Sequence, residues 1–174
     1  LQSGKHPGKT NITDADSALN ILRYLMDQPC AIIIKHNNPS GVARASTLAE
    51  AYNKANMADR VAAFGGTIAL NRPCDLETAK LIAENYCEVV AAEEFEQGVM
   101  DIFSKKKNLR VMRIRNMARL RDFVGAQFVE FKSLIDGGVI VQWPFVPQAR
   151  TKADFQPAVA TWKGKEYRNK RLPS

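Results

Sequence analysis

The stretch Cys30-Ala31-Ile32-Ile33-Ile34-Lys35-His36-Asn37-Asn38-Pro39-Ser40-Gly41 organises the rest of the chain around it. Ala31, Ile32, Ile33 and Ile34 form a short apolar run rich in β-branched side chains and bounded by turn formers, the pattern of a strand buried on both faces of an α/β sheet. The run ends in a cation and an imidazole, Lys35 and His36. In open α/β sheets ligands gather at the carboxyl ends of strands, so both side chains are expected where a substrate would arrive. Asn37 to Gly41 then supply a tight polar turn, with Asn38 biased toward extended backbone by Pro39 and Gly41 permitting close approach to a ligand. The same pattern also fits an ordinary strand-to-helix turn whose Lys35 and His36 point into water.

Working outward, Thr13 or Asp14 is a cap for a helix in which Leu19, Leu22 and Leu25 or Met26 recur at helical spacing before Pro29, while 1–11 reads as loop. Thr47-Leu48-Ala49-Glu50 has the capping-box pattern and opens a second helix to about Asn56. Phe64-Gly65-Gly66 leads into a strand over 67–70, where adjacent glycines permit backbone approach to a ligand or mark a plain hairpin or bulge. Asp75 caps a helix through Asn85, Glu88 begins a strand over 89–92, a helix is expected over 93–104 and a strand over 109–114. This alternation predicts a layered α/β domain with helices on both faces of the sheet. Further strands are expected over 128–132 and 139–143, and Lys163-Gly164 is a candidate hairpin turn.

At 174 residues and 45% hydrophobic content the chain is expected to fold as a single domain over 1–174, with the tail 143–174 the least diagnostic part. No apolar run is long enough to span a membrane and no signal-peptide pattern opens the sequence. Leu1 is not an initiator methionine, which suggests a processed, trimmed or excised piece. Cys30, Cys74 and Cys87 are odd in number, lack metal-type spacing and fall in or beside apolar segments, so they read as reduced packing residues of a cytoplasmic protein.

Twenty-five Lys and Arg against 18 Asp and Glu give a formal charge of +7, which asks for an anionic partner. A phosphorylated nucleotide, a polyglutamylated folate or RNA would each answer it. The basic residues cluster late, at Lys105 to Lys107, Arg110, Arg113, Arg115, Arg119 and Arg121, then Lys163, Lys165, Arg168, Lys170 and Arg171. Such runs are commonly solvated faces, and no aromatic interleaving of the kind found in single-strand binders accompanies them. A basic, non-catalytic nucleic-acid-binding domain is nonetheless the alternative from a different class.

Lys35-His36 with Asn38-Pro39 and Gly41 resembles the Lys-His-x-Asn-Pro-x-Gly segment of the AICAR transformylase family, the folate-dependent formyltransferase half of a bifunctional purine-biosynthesis protein. Arg60 to Asn71 is similar to that family's Ser-Ala-Phe-Gly-Gly-x-Ile-Ala-x-Asn segment, 75–92 resembles the helix and strand that follow, and 131–142, with its Asp-Gly-Gly turn, looks like a further segment. The matches run in family order over most of 1–142. The resemblance implies a three-layer α/β/α, cytidine-deaminase-like fold, this chain resembling the first of two copies. It also implies formyl transfer from 10-formyltetrahydrofolate to AICAR in a cytoplasmic homodimer, with no nucleic acid or membrane as partner.

Zinc deaminase chemistry, which the implied fold invites, is not supported. It needs a His or Cys near a Glu and a Pro-Cys-x-x-Cys pair, whereas this chain has only His6 and His36 and no Cys-x-x-Cys. Neither a nucleophile elbow nor a glycine-rich nucleotide fingerprint is present. Formyl transfer fits better. The AICAR amine is weakened by conjugation, so its attack needs a proton acceptor, and an imidazole suits that task near neutral pH. His36 is the candidate acceptor and Lys35 the candidate for stabilising the oxyanion of the tetrahedral intermediate. By resemblance Gly65, Phe64 and Glu88 hold the AICAR base and its substituents, with Glu88 standing where some relatives carry Asp. Asn38 contacts substrate or simply builds the turn, and Lys132 is a weaker candidate for folate or phosphate; the other folate-binding residues are not assigned. The family's Leu-Arg-Tyr-Gly segment and second copy are not found in 1–174, so the chain alone is expected to fold without catalysing.

Overall fold

In the computed structural model, which describes residues 1–144, 146–149, 151–154, 159–162 and 165–168, the chain divides into two compact units, Leu1–Val124 and Gly125–Ser174. The sequence pattern leads one to expect a single domain; the break falls where strand-helix alternation gives way to short hairpins.

The first unit is built on a five-stranded sheet in the order β2-β1-β3-β4-β5, made of β1 (Cys30–Lys35), β2 (Asn38–Arg44), β3 (Thr67–Leu70), β4 (Val89–Ala92) and β5 (Arg110–Arg113). β1 is antiparallel to both β2 and β3, whereas β3, β4 and β5 are parallel. All side chains of β3 and β4, and all of β1 but Lys35, are out of water, which is why their sequences are continuous apolar runs rather than alternations. On one face Ile33, Ile68, Val90 and Val111 pack with Leu48, Tyr52, Ile82 and Phe103 from α2 (Leu48–Ala58), α4 (Leu76–Ala83) and α5 (Val99–Phe103). On the other, Ile32, Ile34, Ala69 and Ala91 pack with Ala18, Leu22 and Met117 from α1 (Lys9–Leu22) and a 3-10 helix at Met117–Phe123. The unit is thus a three-layer α/β/α arrangement.

Three local expectations are corrected. β2 is a strand rather than part of a turn leading to a helix: Lys35 pairs with Asn38, leaving His36 and Asn37 as a two-residue hairpin loop. Both have positive φ, 55° and 63°, as a type I′ hairpin requires. α1 begins at Lys9 with Gly8 at its cap, so Asp14 lies inside the helix, buried against the sheet, and not at its end. The helix expected over 93–104 is reduced to α5, because Cys74 N donates to Glu94 O and Glu96 N to Cys74 O, holding 94–96 extended, and Gly98 has φ +85°. A short helix, α3 (Arg60–Ala63), capped by Asp59 accepting from Ala62 N at 2.9 Å, has no counterpart in the sequence pattern.

Gly41 makes its close approach to a helix. A Cβ placed there would lie 1.9 Å from Ala55 O, so glycine is what lets β2 lie against α2. Asn71, 2% exposed, stitches the start of β1: its Oδ1 accepts from Cys30 N at 2.8 Å, and its Nδ2 donates to Leu25 O and Gln28 O at 2.9 and 2.7 Å. The three cysteines are free and buried. Burial pushes the Cys30 thiol up to about 11 and those of Cys74 and Cys87 up to about 12.

The second unit contains two antiparallel hairpins, β6 (Glu130–Ser133) with β7 (Val139–Gln142), and β8 (Val159–Trp162) with β9 (Lys165–Arg168). The first closes through Asp136-Gly137-Gly138, with Leu134 N donating to Gly138 O and Gly138 N to Asp136 Oδ1 at 2.9 Å. Lys163-Gly164, the expected turn of the second, lies outside the described residues, as do Lys170 and Arg171.

Candidate active site

Sheet register brings the candidate residues to one end of the first unit. Ile34 pairs with Thr67, Thr67 with Val89, and Val89 with Arg110. One residue beyond that row stand Lys35, Gly66, Glu88 and Leu109. With strands about 4.8 Å apart, Lys35 and Glu88 are backbone neighbours at about 10 Å. This is the carboxyl end of β1 but the amino end of β3, β4 and β5, since β1 runs against them. The expectation drawn from parallel sheets, that the site faces the carboxyl ends of the strands, therefore holds for β1 alone.

Lys35 Nζ donates to Phe64 O at 2.8 Å, so its ammonium lies over the loop that carries Gly65 and retains N–H donors for a ligand. Gly65 has φ +74°, a conformation that favours glycine, and its N–H donates to Tyr86 O. Gly66 is constrained differently: an added Cβ would meet Ile34 O at 2.9 Å and Ala63 O at 3.1 Å. The expected freedom for ligand approach is thus used at Gly66 to seat the backbone against β1. Phe64 is exposed and its ring lies 5.0 Å from that of Tyr86, forming an aromatic wall beside Lys35.

His36 is exposed at the hairpin tip, and among the described residues its ring makes no hydrogen bond. Its backbone is held instead. Asp14, 5% exposed, accepts from His36 N through Oδ2 at 3.3 Å and from Asn37 N through Oδ1 at 2.7 Å. Left-handed backbone at non-glycine residues costs about 1–3 kcal/mol each. Hydrogen bonds to a charged group contribute about 1.5–3 kcal/mol, enough to offset it. Asn38 builds the turn, its Nδ2 donating to His36 O at 2.9 Å. Glu88 is half-buried, with Oε2 accepting from Asn11 Nδ2 at 2.9 Å and lying 4.0 Å from the Arg110 guanidinium. Lys132 belongs to the exposed β6 of the second unit.

Lys35, Phe64, Gly65, Glu88 and His36 thus belong to adjoining segments. Asp14, Asn11 and Tyr86 join them and were not singled out for the site by pattern. A cavity of about 250 Å³ opens beside Tyr86, lined also by Asn85, Asn108 and Lys105 to Lys107. These lysines are free of ion pairs among the described residues, whereas other members of the late basic cluster are engaged internally. Arg121 donates to Met26 O at 2.8 Å, Arg113 pairs with Glu94, and Arg119 pairs with Asp122 at 3.3 Å.

Residues 1–169 match the model of the family described as AICARFT/IMPCHase bienzyme. The chain belongs to that family. Its curated relatives include proteins called bifunctional purine biosynthesis protein PurH. That of a Cyanothece strain is 37% identical over 172 residues, covering 92% of this chain and 32% of the relative. That of Lactobacillus acidophilus is 42% identical over 111 residues, 64% of this chain and 22% of the relative. That of Chlorobium phaeobacteroides is 46% identical over 110 residues, 63% and 21%. The chain therefore spans between 21% and 32% of the length of these relatives. No helix among the described residues is long and apolar enough to cross a membrane.

Proposed function

We propose that this chain carries the Lys-His pair of an AICAR formyltransferase acting in purine biosynthesis, with 10-formyltetrahydrofolate as formyl donor. The observation that carries the reading is the convergence, at one end of one sheet, of an imidazole at a hairpin tip, an ammonium over a glycine loop and a half-buried carboxylate. These residue types match the needs of the reaction. As the AICAR amine nitrogen bonds to the formyl carbon, His36 takes the amine proton. The carbonyl electron pair moves onto oxygen, where Lys35 balances the charge; that pair then re-forms the carbonyl as the bond from carbon to the folate nitrogen breaks, and the nitrogen leaves with the proton that His36 had taken.

Phe64 and Gly65 form the wall and floor for the imidazole-carboxamide, Glu88 accepts from its donors, and Asn38 keeps the turn closed. Since Glu88 Oε2 already accepts from Asn11, Oε1 is the acceptor this reading assigns to the substrate's donors. The hollow beside Lys105 to Lys107 suits the negative charge of either substrate. Lys132, in the second unit, is a weaker candidate for folate or phosphate. A cytoplasmic homodimer without zinc, nucleic acid or membrane as partner completes the reading.

The test is His36→Ala in a protein covering the full length of the family, assayed for formyl transfer from 10-formyltetrahydrofolate to AICAR. Loss of a general base costs about 10²–10⁴-fold in kcat. AICAR affinity, read by calorimetry, is expected to hold. Wild-type turnover would remove His36 from the chemistry.

A further inference from the structure

α1 turns two buried polar side chains one helical turn apart toward the sheet, each bound to a different segment of the candidate site. Asn11 holds Glu88, and Asp14 holds the amides of His36 and Asn37. Ser17, three residues further, lies with its Oγ 3.2 Å from the Asn37 side-chain amide. A polar row at this spacing on a helix whose remaining inward residues are Ala15, Ala18 and Leu22 is not needed to close the core.

We propose that Asp14 is a positioning residue for formyl transfer. By accepting both amides of the hairpin tip, it fixes the direction in which His36 leaves the backbone relative to Lys35. The inference rests on the reading of His36 as the proton acceptor.

The turn itself supplies the physical reason. Two-residue I′ loops favour Asn-Gly because both positions need positive φ. Here the first position is a histidine and the second an asparagine, at φ 55° and 63°. The imidazole therefore sits where the backbone would not choose to place it, and local propensity leaves the tip free to relax toward other turns. A carboxylate receiving two converging N–H groups removes that freedom, because alternative turn geometries would point at least one amide elsewhere. Since Asp14 stands on a helix packed against β1, β3 and β4, the tip is referenced to the rigid sheet and not only to its own strands. Asn11, on the same helix face, references Glu88 in the same way, so one element sets the spacing between the two.

The experiment is kcat and KM for AICAR in the full-length protein carrying Asp14→Ala, measured per folded molecule well below its unfolding midpoint, beside His36→Ala. The expected result is a fall in kcat of roughly 10–100-fold, the scale of a misplacement of about 1 Å, with KM for AICAR within about threefold. Adding Asn37→Gly, which restores a residue content with positive φ, is expected to recover a large part of kcat without the carboxylate. A residue needed only for folding would lower the folded fraction and leave kcat per folded molecule unchanged. That outcome overturns the proposal, as does a loss that Asn37→Gly leaves in place. If Asp14→Ala does not fold, Asp14→Asn, which offers one acceptor in place of two, is measured instead; wild-type kcat there overturns the proposal and an intermediate loss supports it. Activity retained by Asp14→Ala but lost by His36→Ala defeats only the positioning role, whereas activity retained by His36→Ala defeats the reading beneath it.

Discussion

Replacing Asn71 by alanine tests whether one buried amide secures the entry to β1. Three hydrogen bonds disappear together, from Cys30 N and to Leu25 O and Gln28 O. They are not equivalent. Cys30 is fully buried, so its N–H loses its side-chain partner where water is excluded, at a cost of about 1–3 kcal/mol. Gln28 is exposed and Leu25 only partly covered, so their carbonyls find solvent and each lost bond adds about 0.5–1 kcal/mol. The sum, about 2–5 kcal/mol, is a large share of the 5–15 kcal/mol that holds an ordinary domain together. In urea, with a mid-range slope of about 2 kcal/mol/M, the midpoint followed by far-UV circular dichroism should fall by about 1–2.5 M. Hydrogen exchange at the Cys30 amide should accelerate. Asn71→Asp keeps the acceptor for Cys30 N but turns a second oxygen on two carbonyls. It is expected to be no better than alanine at neutral pH and to recover partly, relative to wild type, in acid, where its protonated oxygen can donate. A midpoint within about 0.3 M of wild type for Asn71→Ala would refute the assignment of this amide as the tie.

Lys35→Met in the full-length protein should lower kcat by roughly 10²-fold or more while leaving AICAR affinity within a few-fold, because an ammonium acting on the oxyanion works only in the transition state. Steady-state kinetics with calorimetry separates this from equal losses in both, which would make Lys35 an anchor for the ground state. The buried thiols predict a pH effect of definite sign: with folded values of about 11 to 12 against an ordinary value near 9, the folded chain keeps protons that the unfolded chain releases. Stability from these groups is intact below pH 9 and declines as pH rises from there to about 11–12, and iodoacetamide at pH 8 should label the cysteines only after denaturation. A flat urea midpoint from pH 8.5 to 10.5, or rapid native labelling, would count against their burial.

Strands whose two faces are both covered announce themselves in sequence: β1, β3 and β4 are short β-branched or alanine-rich runs, and their positions are legible residue by residue. β2 is not, because Asn-Pro-Ser-Gly carries turn chemistry and becomes a strand only by pairing with β1 and lying against α2. Asp14 shows the limit from the other side. Its side chain is as good a helix cap as any, and only the burial of α1 turns that carboxylate toward a hairpin tip 22 residues on. Lys35 and His36 stood out by residue type, as a cation and an imidazole at a strand end, whereas Phe64, Gly65 and Glu88 became candidates only through the family resemblance. Asn11, Asp14 and Tyr86 were not, since their importance lies in what they touch.

β2 is also a margin of the sheet, paired on one side with β1 and on the other with nothing among the described strands. A bare margin invites further strands and, at cellular concentrations, fibrils. Here Pro39 has no N–H to offer, and the register shift between Ile33 and Ile34 leaves Ser40 as an extra residue that twists the ladder. The opposite margin is closed by the chain's own start, where Gln2 N donates to Val111 O and Val111 N to Ser3 O. A strand from another molecule would find a broken row of donors and acceptors beside the hairpin that presents His36. The proline and the bulge that disguise β2 in the sequence thus interrupt, beside that hairpin, the ladder that an added strand would need.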